Sequence, residues 1–169
     1  MILKNIRRKI ISFDRIEKQV SDWKSKGETI VFTNGCFDIV HLGHITYLAK
    51  AADLGTKLII GLNSDKSVKK IKGENRPIMD ENSRAMLLAS LSFVSAVVMF
   101  EEETPIKLIE KIIPNILVKG GDYKPEDIVG YNITIKNKGI VKVIDIVEGY
   151  SSKIALKKCY YLATKAQRH

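Results

Sequence analysis

The chain has 169 residues, 45% of them hydrophobic and 28% charged, a balance that suits one globular domain with a substantial core and excludes intrinsic disorder. Its two cysteines, Cys36 and Cys159, make neither a disulfide framework nor a metal-ligand spacing, and its longest apolar stretches, such as 94–100, are too short to cross a bilayer. The net charge of +9 gathers in residues 4–9, 66–76 and 153–168, which suits phosphorylated ligands, while the lack of aromatics interleaved with these clusters argues against nucleic acid.

Residues 1–11 carry Lys4, Arg7, Arg8 and Lys9 without an apolar stretch or a small-residue cleavage site. They are therefore not read as a secretory signal, and a cytoplasmic location with no membrane contact is expected. Over residues 15–26, Ile16, Val20 and Trp23 share one face of a predicted helix, with Ser12 or Asp14 available as its cap. The expected organisation is a single domain over 1–169, with 1–27 as a helical extension packed on it.

Apolar runs then recur at 29–32, 57–62, 96–100, 116–118 and 140–146, with helical patterns between them. This alternation predicts an α/β fold, a parallel five-stranded sheet with helices on both faces. Ligands in such sheets bind beyond the carboxyl ends of the strands, where strand order reverses. Asn34, Asn63, Lys119 and the turn 149–152 all fall at that end.

The densest chemistry follows the first run: Thr33-Asn34-Gly35-Cys36-Phe37-Asp38-Ile39-Val40-His41-Leu42-Gly43-His44. From Leu42 onward Ile45, Leu48, Ala49 and Ala52 recur at helical spacing, so the order is strand, loop, helix. A helix N-terminus offers free backbone N–H groups and a favourable dipole to phosphates. His41 and His44, three apart, place two imidazoles on one side of the first turn, and Gly43 leaves room for a base or ribose against the backbone. Cys36 is read as a small filler, since no reaction step requires a thiolate. Asp38 is open to two roles: orienting a histidine or a metal, or capping the helix.

Further along, Asp65 and Asp122 are polar candidates at strand ends. Residues 66–81, rich in Lys and Gly with Arg76-Pro77 near the end, read as a mobile loop over the site. Lys72 is its candidate phosphate contact, with Lys69 as substitute, while Arg76 and Arg84 offer guanidinium forks suited to phosphate. Arg84 opens a helical run over 85–91. Lys119 ends an apolar strand beside Gly120 and Gly121, where backbone can approach a ligand. Gly149-Tyr150-Ser151-Ser152 precedes a helical pattern at Ile154, Leu156, Cys159, Tyr160 and Leu162, so that Ser151 or Ser152 is a natural cap.

The segment from Thr33 to Asp38 with its H-x-G-H pair resembles the cytidylyltransferase-like nucleotidyltransferases. Gly61-Leu62-Asn63-Ser64-Asp65, Lys72-Gly73 with Arg76-Pro77, Arg84, Val118-Lys119-Gly120-Gly121-Asp122-Tyr123 and Glu148-Gly149-Tyr150-Ser151-Ser152 resemble one subgroup, the D-glycero-β-D-manno-heptose 1-phosphate adenylyltransferases. The resemblance covers about residues 28–157 and implies a Rossmann-like fold, ATP and a sugar 1-phosphate as substrates, Mg2+ as cofactor, ADP-heptose as product and a homodimer. It implies catalytic roles for His41, His44, Lys72 and Arg84. It implies nucleotide contacts at Thr33, Asn34, Gly35, Cys36, Phe37, Asp38, Gly43, Asn63, Lys119, Gly120, Tyr150, Ser151 and Ser152, with Lys153 close to the last turn. Substrate contacts are implied at Asp65, Arg76, Gly121 and Asp122, and no metal ligand is assigned. Subgroup members often carry a fused sugar kinase, which these residues lack, so a stand-alone form is expected. The alternatives are a cytidylyltransferase for glycerol 3-phosphate or another polyol phosphate, and a nucleotide- or nucleic-acid-binding module without turnover.

Overall fold

The computed structural model describes residues 1–147, 149–152, 154, 156–158 and 161. The five apolar runs are five strands: β1 (Ile30–Gly35), β2 (Lys57–Asn63), β3 (Val94–Phe100), β4 (Ile116–Gly120) and β5 (Ile140–Ile144). All pair in parallel, in the order β3-β2-β1-β4-β5. Two helices precede them, α1 (Ile2–Arg8) and α2 (Ile16–Lys24), and five lie between them: α3 (Leu42–Ala52), α4 (Asp65–Lys72), α5 (Glu81–Ser90), α6 (Ile106–Ile112) and α7 (Tyr131–Lys136).

The central strands read as continuous apolar runs because both of their faces are covered, and the two-residue repeat of a strand sorts their side chains into two cores. On one face Val31, Leu58, Ile60 and Val118 meet Leu48 of α3 and Leu88 of α5. On the other, Ile30, Phe32, Ile59 and Leu117 meet Ile16 and Val20 of α2 and Ile109 of α6. Outside β3, the backbone of residues 9–11 continues the sheet, with Val97 N donating to Lys9 O at 2.8 Å and Ile11 N to Val97 O at 2.9 Å. That pairing closes an edge that would otherwise be open to another chain.

Several expectations are corrected by local chemistry. β1 runs through Thr33, Asn34 and Gly35, so these belong to the strand end and not to a loop. Neither Ser12 nor Asp14 caps α2: it begins after Arg15, whose N–H donates to the Ser12 carbonyl at 3.0 Å in a tight turn. Residues 66–81 are not wholly loop, since 65–72 form α4, capped by Ser64, whose hydroxyl oxygen accepts from Ser67 N at 3.2 Å. α5 begins at Glu81, ahead of Arg84, because the Asp80 carboxylate caps it through Asn82 N and Ser83 N, both at 3.0 Å. Beyond β5, Ser152, Ile154 and Leu156 are helical, while Glu148, Lys153, Cys159, Tyr160 and Leu162 lie outside the described residues. Among the described residues no helix is long and apolar enough to cross a membrane.

The chain moves outward from β1 to β3 and then returns to the other side of β1 for β4. Strand order therefore reverses between β1 and β4, which pair only through Val31 with Ile116 and Phe32 with Leu117. Past that point the two strands part, and a crevice opens at their carboxyl ends.

Ile59 is fully buried between α2, α6 and the sheet, whereas Ile71 on α4 is 48% exposed. Ile59→Ala is expected to cost about 2–5 kcal/mol in denaturant unfolding, and Ile71→Ala less than about 0.5 kcal/mol. Similar costs for both would contradict this placement of the core.

Candidate active site

The crevice between β1 and β4 is a cavity of about 390 Å³. Its walls come from the end of β1 (Asn34, Gly35), the loop Cys36-Phe37-Asp38, the start of α3 (His41, Gly43, His44), Lys72 at the end of α4, Lys119 and Gly120 of β4, and Tyr150, Ser151 and Ser152. Fourteen residues singled out from the sequence thus meet around one space. Two others complete it: Tyr47 and Ile146.

Tyr47 is the floor. Its hydroxyl lies 2.5 Å from Thr33 Oγ1 and donates to the Val118 carbonyl at 3.3 Å, bridging β1 and β4 where their own pairing has ended. Burial raises its phenol to about 12, so it stays neutral. Tyr47 follows His44 by three residues on the same helical face, a signal available in the sequence but indistinguishable there from an ordinary core aromatic. Thr33 is fully buried against Tyr47 and does not line the cavity.

His41 is the N-cap residue of α3 and His44 lies in its first turn. Their imidazoles stack at 3.8 Å between centroids and 21° between planes, and the Phe37 ring meets His44 edge-on at 5.3 Å. Phe37 reaches this position with a φ of 43°, and a Cβ on Gly35 would sit 3.0 Å from its ring, so Gly35 makes the room that Phe37 occupies. The Nδ1 atoms of both histidines are buried without a hydrogen-bond partner. Burial lowers the His41 pKa. For His44, burial, the neighbouring His41 and, more weakly, Lys72 outweigh a hydrogen bond with the Ile39 backbone and push the pKa down to about 4. Both rings are therefore neutral near pH 7, each with one N–H to donate.

Among the described residues, the cavity's cationic groups are Lys72 and Lys119. Burial lowers the Lys119 pKa, with the nearby Cys36 thiol acting in the opposite sense. At the mouth, Ser151 Oγ accepts from Ile154 N at 3.1 Å, the capping role, and Ser152 Oγ donates to Ile39 O at 3.4 Å. Gly43 is approached closely: a Cβ there would be 3.1 Å from His41 Nδ1 and 3.2 Å from Tyr150 Cβ. A side chain at position 43 would therefore crowd His41 and Tyr150, and the bare Gly43 backbone lines the cavity.

Other candidates stand apart from the cavity. Asn63 is 3% exposed and donates its amide to Ser67 Oγ at 2.9 Å. Asp65 pairs with Arg84 at 2.7 Å, and Arg76 pairs with Asp38. Gly121 donates its N–H to Ile144 O at 3.1 Å, continuing the sheet, and Asp122 is an exposed loop residue. The Asp38 carboxylate does not cap α3, which has no side-chain cap, and it faces Arg76 and the backbone of residues 78–79 instead.

A family model described as cytidylyltransferase-like matches residues 32–159. The bifunctional protein HldE of Actinobacillus pleuropneumoniae is 50% identical over 149 residues, covering 88% of this chain and 31% of that protein. The bifunctional protein HldE of Nitratiruptor sp. is 52% identical over the same length and share of each. The chain thus spans 31% of the length of these relatives. Among solved structures, the lipopolysaccharide core biosynthesis protein of Thermoplasma volcanium aligns over 74% of this chain and 100% of its own, with a TM-score of 0.59 and 33% identity. Pantoate-beta-alanine ligase from Francisella tularensis, at 15% identity and a TM-score of 0.51 over 80% of this chain and 66% of its own, shares the fold alone.

The lowered histidine pKa values have a measurable sign. Unfolding returns His44 to an ordinary imidazole near 6.5 from about 4, so the unfolded chain binds the extra proton between those values. Stability should be fully present above about pH 6.5 and fall as pH drops toward 4, and His44→Gln should flatten that fall. In a ligand-free NMR titration the His44 ring should titrate near 4, and a midpoint at or above 6.5 would contradict the buried, stacked geometry.

Proposed function

Because the chain belongs to the cytidylyltransferase-like family, we propose that it transfers the adenylyl group of ATP to D-glycero-β-D-manno-heptose 1-phosphate, giving ADP-heptose and pyrophosphate. The observation that carries the chemistry is the convergence of two neutral imidazoles, Lys72 and Lys119 on one cavity at the carboxyl ends of β1 and β4. The choice of adenine and heptose is supported by the sequence motifs and by similarity to the HldE and lipopolysaccharide core proteins.

Nucleotidyl transfer asks little acid–base chemistry of the protein. An oxygen of the sugar phosphate, already ionised near pH 7, attacks the α-phosphorus, and the bond from that phosphorus to the bridging oxygen breaks to release pyrophosphate. Catalysis is then positioning together with stabilisation of charge gathering on the phosphoryl oxygens. His41 and His44 act as neutral N–H donors to those oxygens, and a proton held elsewhere does not have to move. Lys72 from α4 and Lys119 from β4 neutralise the phosphates. The free N–H groups at the start of α3 and the hydroxyl of Ser151, whose proton is not used in capping, take the remaining phosphate oxygens, and Ser152 joins them by turning its hydroxyl from the Ile39 carbonyl.

Magnesium is inferred to enter with ATP. Among the described residues no three His, Cys, Asp or Glu side chains gather to hold a metal ion, and Asp38 is already engaged by Arg76 and two amides. Phosphate oxygens and water are therefore its expected ligands, with neutralisation of the triphosphate as its contribution.

Pyrophosphate release, measured with ATP, CTP, GTP and UTP against heptose 1-phosphate, glycerol 3-phosphate and other sugar phosphates, tests this reading. ATP with the heptose phosphate should be the preferred pair. Preference for CTP with glycerol 3-phosphate would keep the chemistry and replace the substrates, and turnover with no pair would leave a binding module. His41→Ala and His44→Ala should each lower kcat roughly 10²–10³-fold with a small change in nucleotide KM.

A further inference from the structure

Three charged residues that the sequence offers as ligand contacts are committed to the protein itself. Asp38, 1% exposed, accepts through Oδ1 from Ile78 N at 2.7 Å and Met79 N at 3.0 Å, and its Oδ2 pairs with Arg76 Nη2. Arg84, also 1% exposed, donates to the carbonyls of Cys36 at 2.6 Å, Asn63 at 2.9 Å and Met79 at 3.0 Å, and to the Asp65 carboxylate at 2.7 Å. The Asp65 N–H in turn donates to Glu81 Oε2 at 2.8 Å. These bonds fasten α4, the turn after it and the start of α5 to the loop 36–38 at two points.

Lys72 sits at the free end of that fastened unit. It is the last residue of α4, and the Gly73 carbonyl accepts from Arg76 N at 3.1 Å, so a single turn separates Lys72 from the Asp38–Arg76 pair. Charge accounting points the same way: the carboxylates of Asp38 and Asp65 match the guanidiniums of Arg76 and Arg84, leaving Lys72 and Lys119, among the described residues, as the cavity's uncompensated cations. Arg84 spends four of its five N–H donors on three carbonyls and a carboxylate, so a two-pronged grip on phosphate would require it to give up some of these bonds.

We propose that Asp38, Arg76 and Arg84 form a buried ionic latch that positions Lys72 on the cavity wall, and that none of the three touches substrate. The inference rests on the nucleotidyl-transfer reading for its kinetic consequence, but its structural half does not. The latch makes Asp38 and Arg76 positioning residues whose effect on rate passes through Lys72.

The test uses the full chain and measures pyrophosphate release by Arg76→Gln, Arg76→Lys and Asp38→Asn, each alone and combined with Lys72→Ala. Arg76→Gln should lower kcat by about ten- to a hundredfold with both KM values within about threefold, Arg76→Lys should recover most of the loss, and in the Lys72→Ala background Arg76→Gln should add less than about threefold. A tenfold rise in either KM with kcat unchanged, or a loss that multiplies fully onto Lys72→Ala, would overturn the latch in favour of direct phosphate contact. Amide exchange without substrate supplies the independent arm. Ile78 and Met79 should exchange at least about tenfold faster in Asp38→Ala, and unchanged exchange would overturn the latch even if the wild-type chain turned over no nucleotide.

Discussion

Everything at the site depends on the parting of β1 from β4. Two residue pairs hold these strands together, and beyond them the backbone groups that a longer ladder would satisfy face a gap. Tyr47 resolves the conflict by laying its hydroxyl between Thr33 and the Val118 carbonyl, which closes the floor without closing the crevice. Because α3 carries both Tyr47 and the two histidines, the residue that seals the floor also sets where the imidazoles stand. The sheet's topology and the site's chemistry are linked through that one helix.

The second constraint is electrostatic. On the proposed reading, bringing a triphosphate and a sugar phosphate together requires positive charge, yet a cavity lined only with cations would repel itself before ligand arrived. Here the stacked imidazoles are held neutral by burial, and His44 also by the neighbouring His41. They remain donors without adding charge, and among the described residues the free cations of the cavity are Lys72 of α4 and Lys119 of β4. Arginine, whose fork is the stronger phosphate ligand in general, is used in this chain to tie backbone segments together.

The fold was legible in the sequence where burial was two-sided. β1 to β4 read as apolar runs because helices cover both faces, and the carboxyl-end rule then gathers Asn34, Lys119 and Ser151 at one place. α4 was hidden. Its sequence, DKSVKKIK, holds only Val68 and Ile71 as apolar residues, and the helix is secured by the Ser64 cap and the contact of Asp65 with Glu81. Such contacts leave no periodicity to detect. The direction taken by Arg84 was equally illegible, since its partners lie at positions 36, 63, 65 and 79 and a guanidinium next to a site looks the same in sequence whether it faces phosphate or carbonyl. Gly43 illustrates a third limit: a glycine signals close approach without saying by what, and in the structure His41 and Tyr150 make that approach.

On the proposed reading, this cavity catalyses one direct displacement by holding an already ionised phosphate in line with the α-phosphorus. The stereochemical course with ATP made chiral at that phosphorus by sulfur substitution tests it most directly. A single in-line step predicts inversion of configuration in the product. Retention would require two displacements through a covalent nucleotidyl-enzyme, and would contradict a site that works by positioning and charge alone.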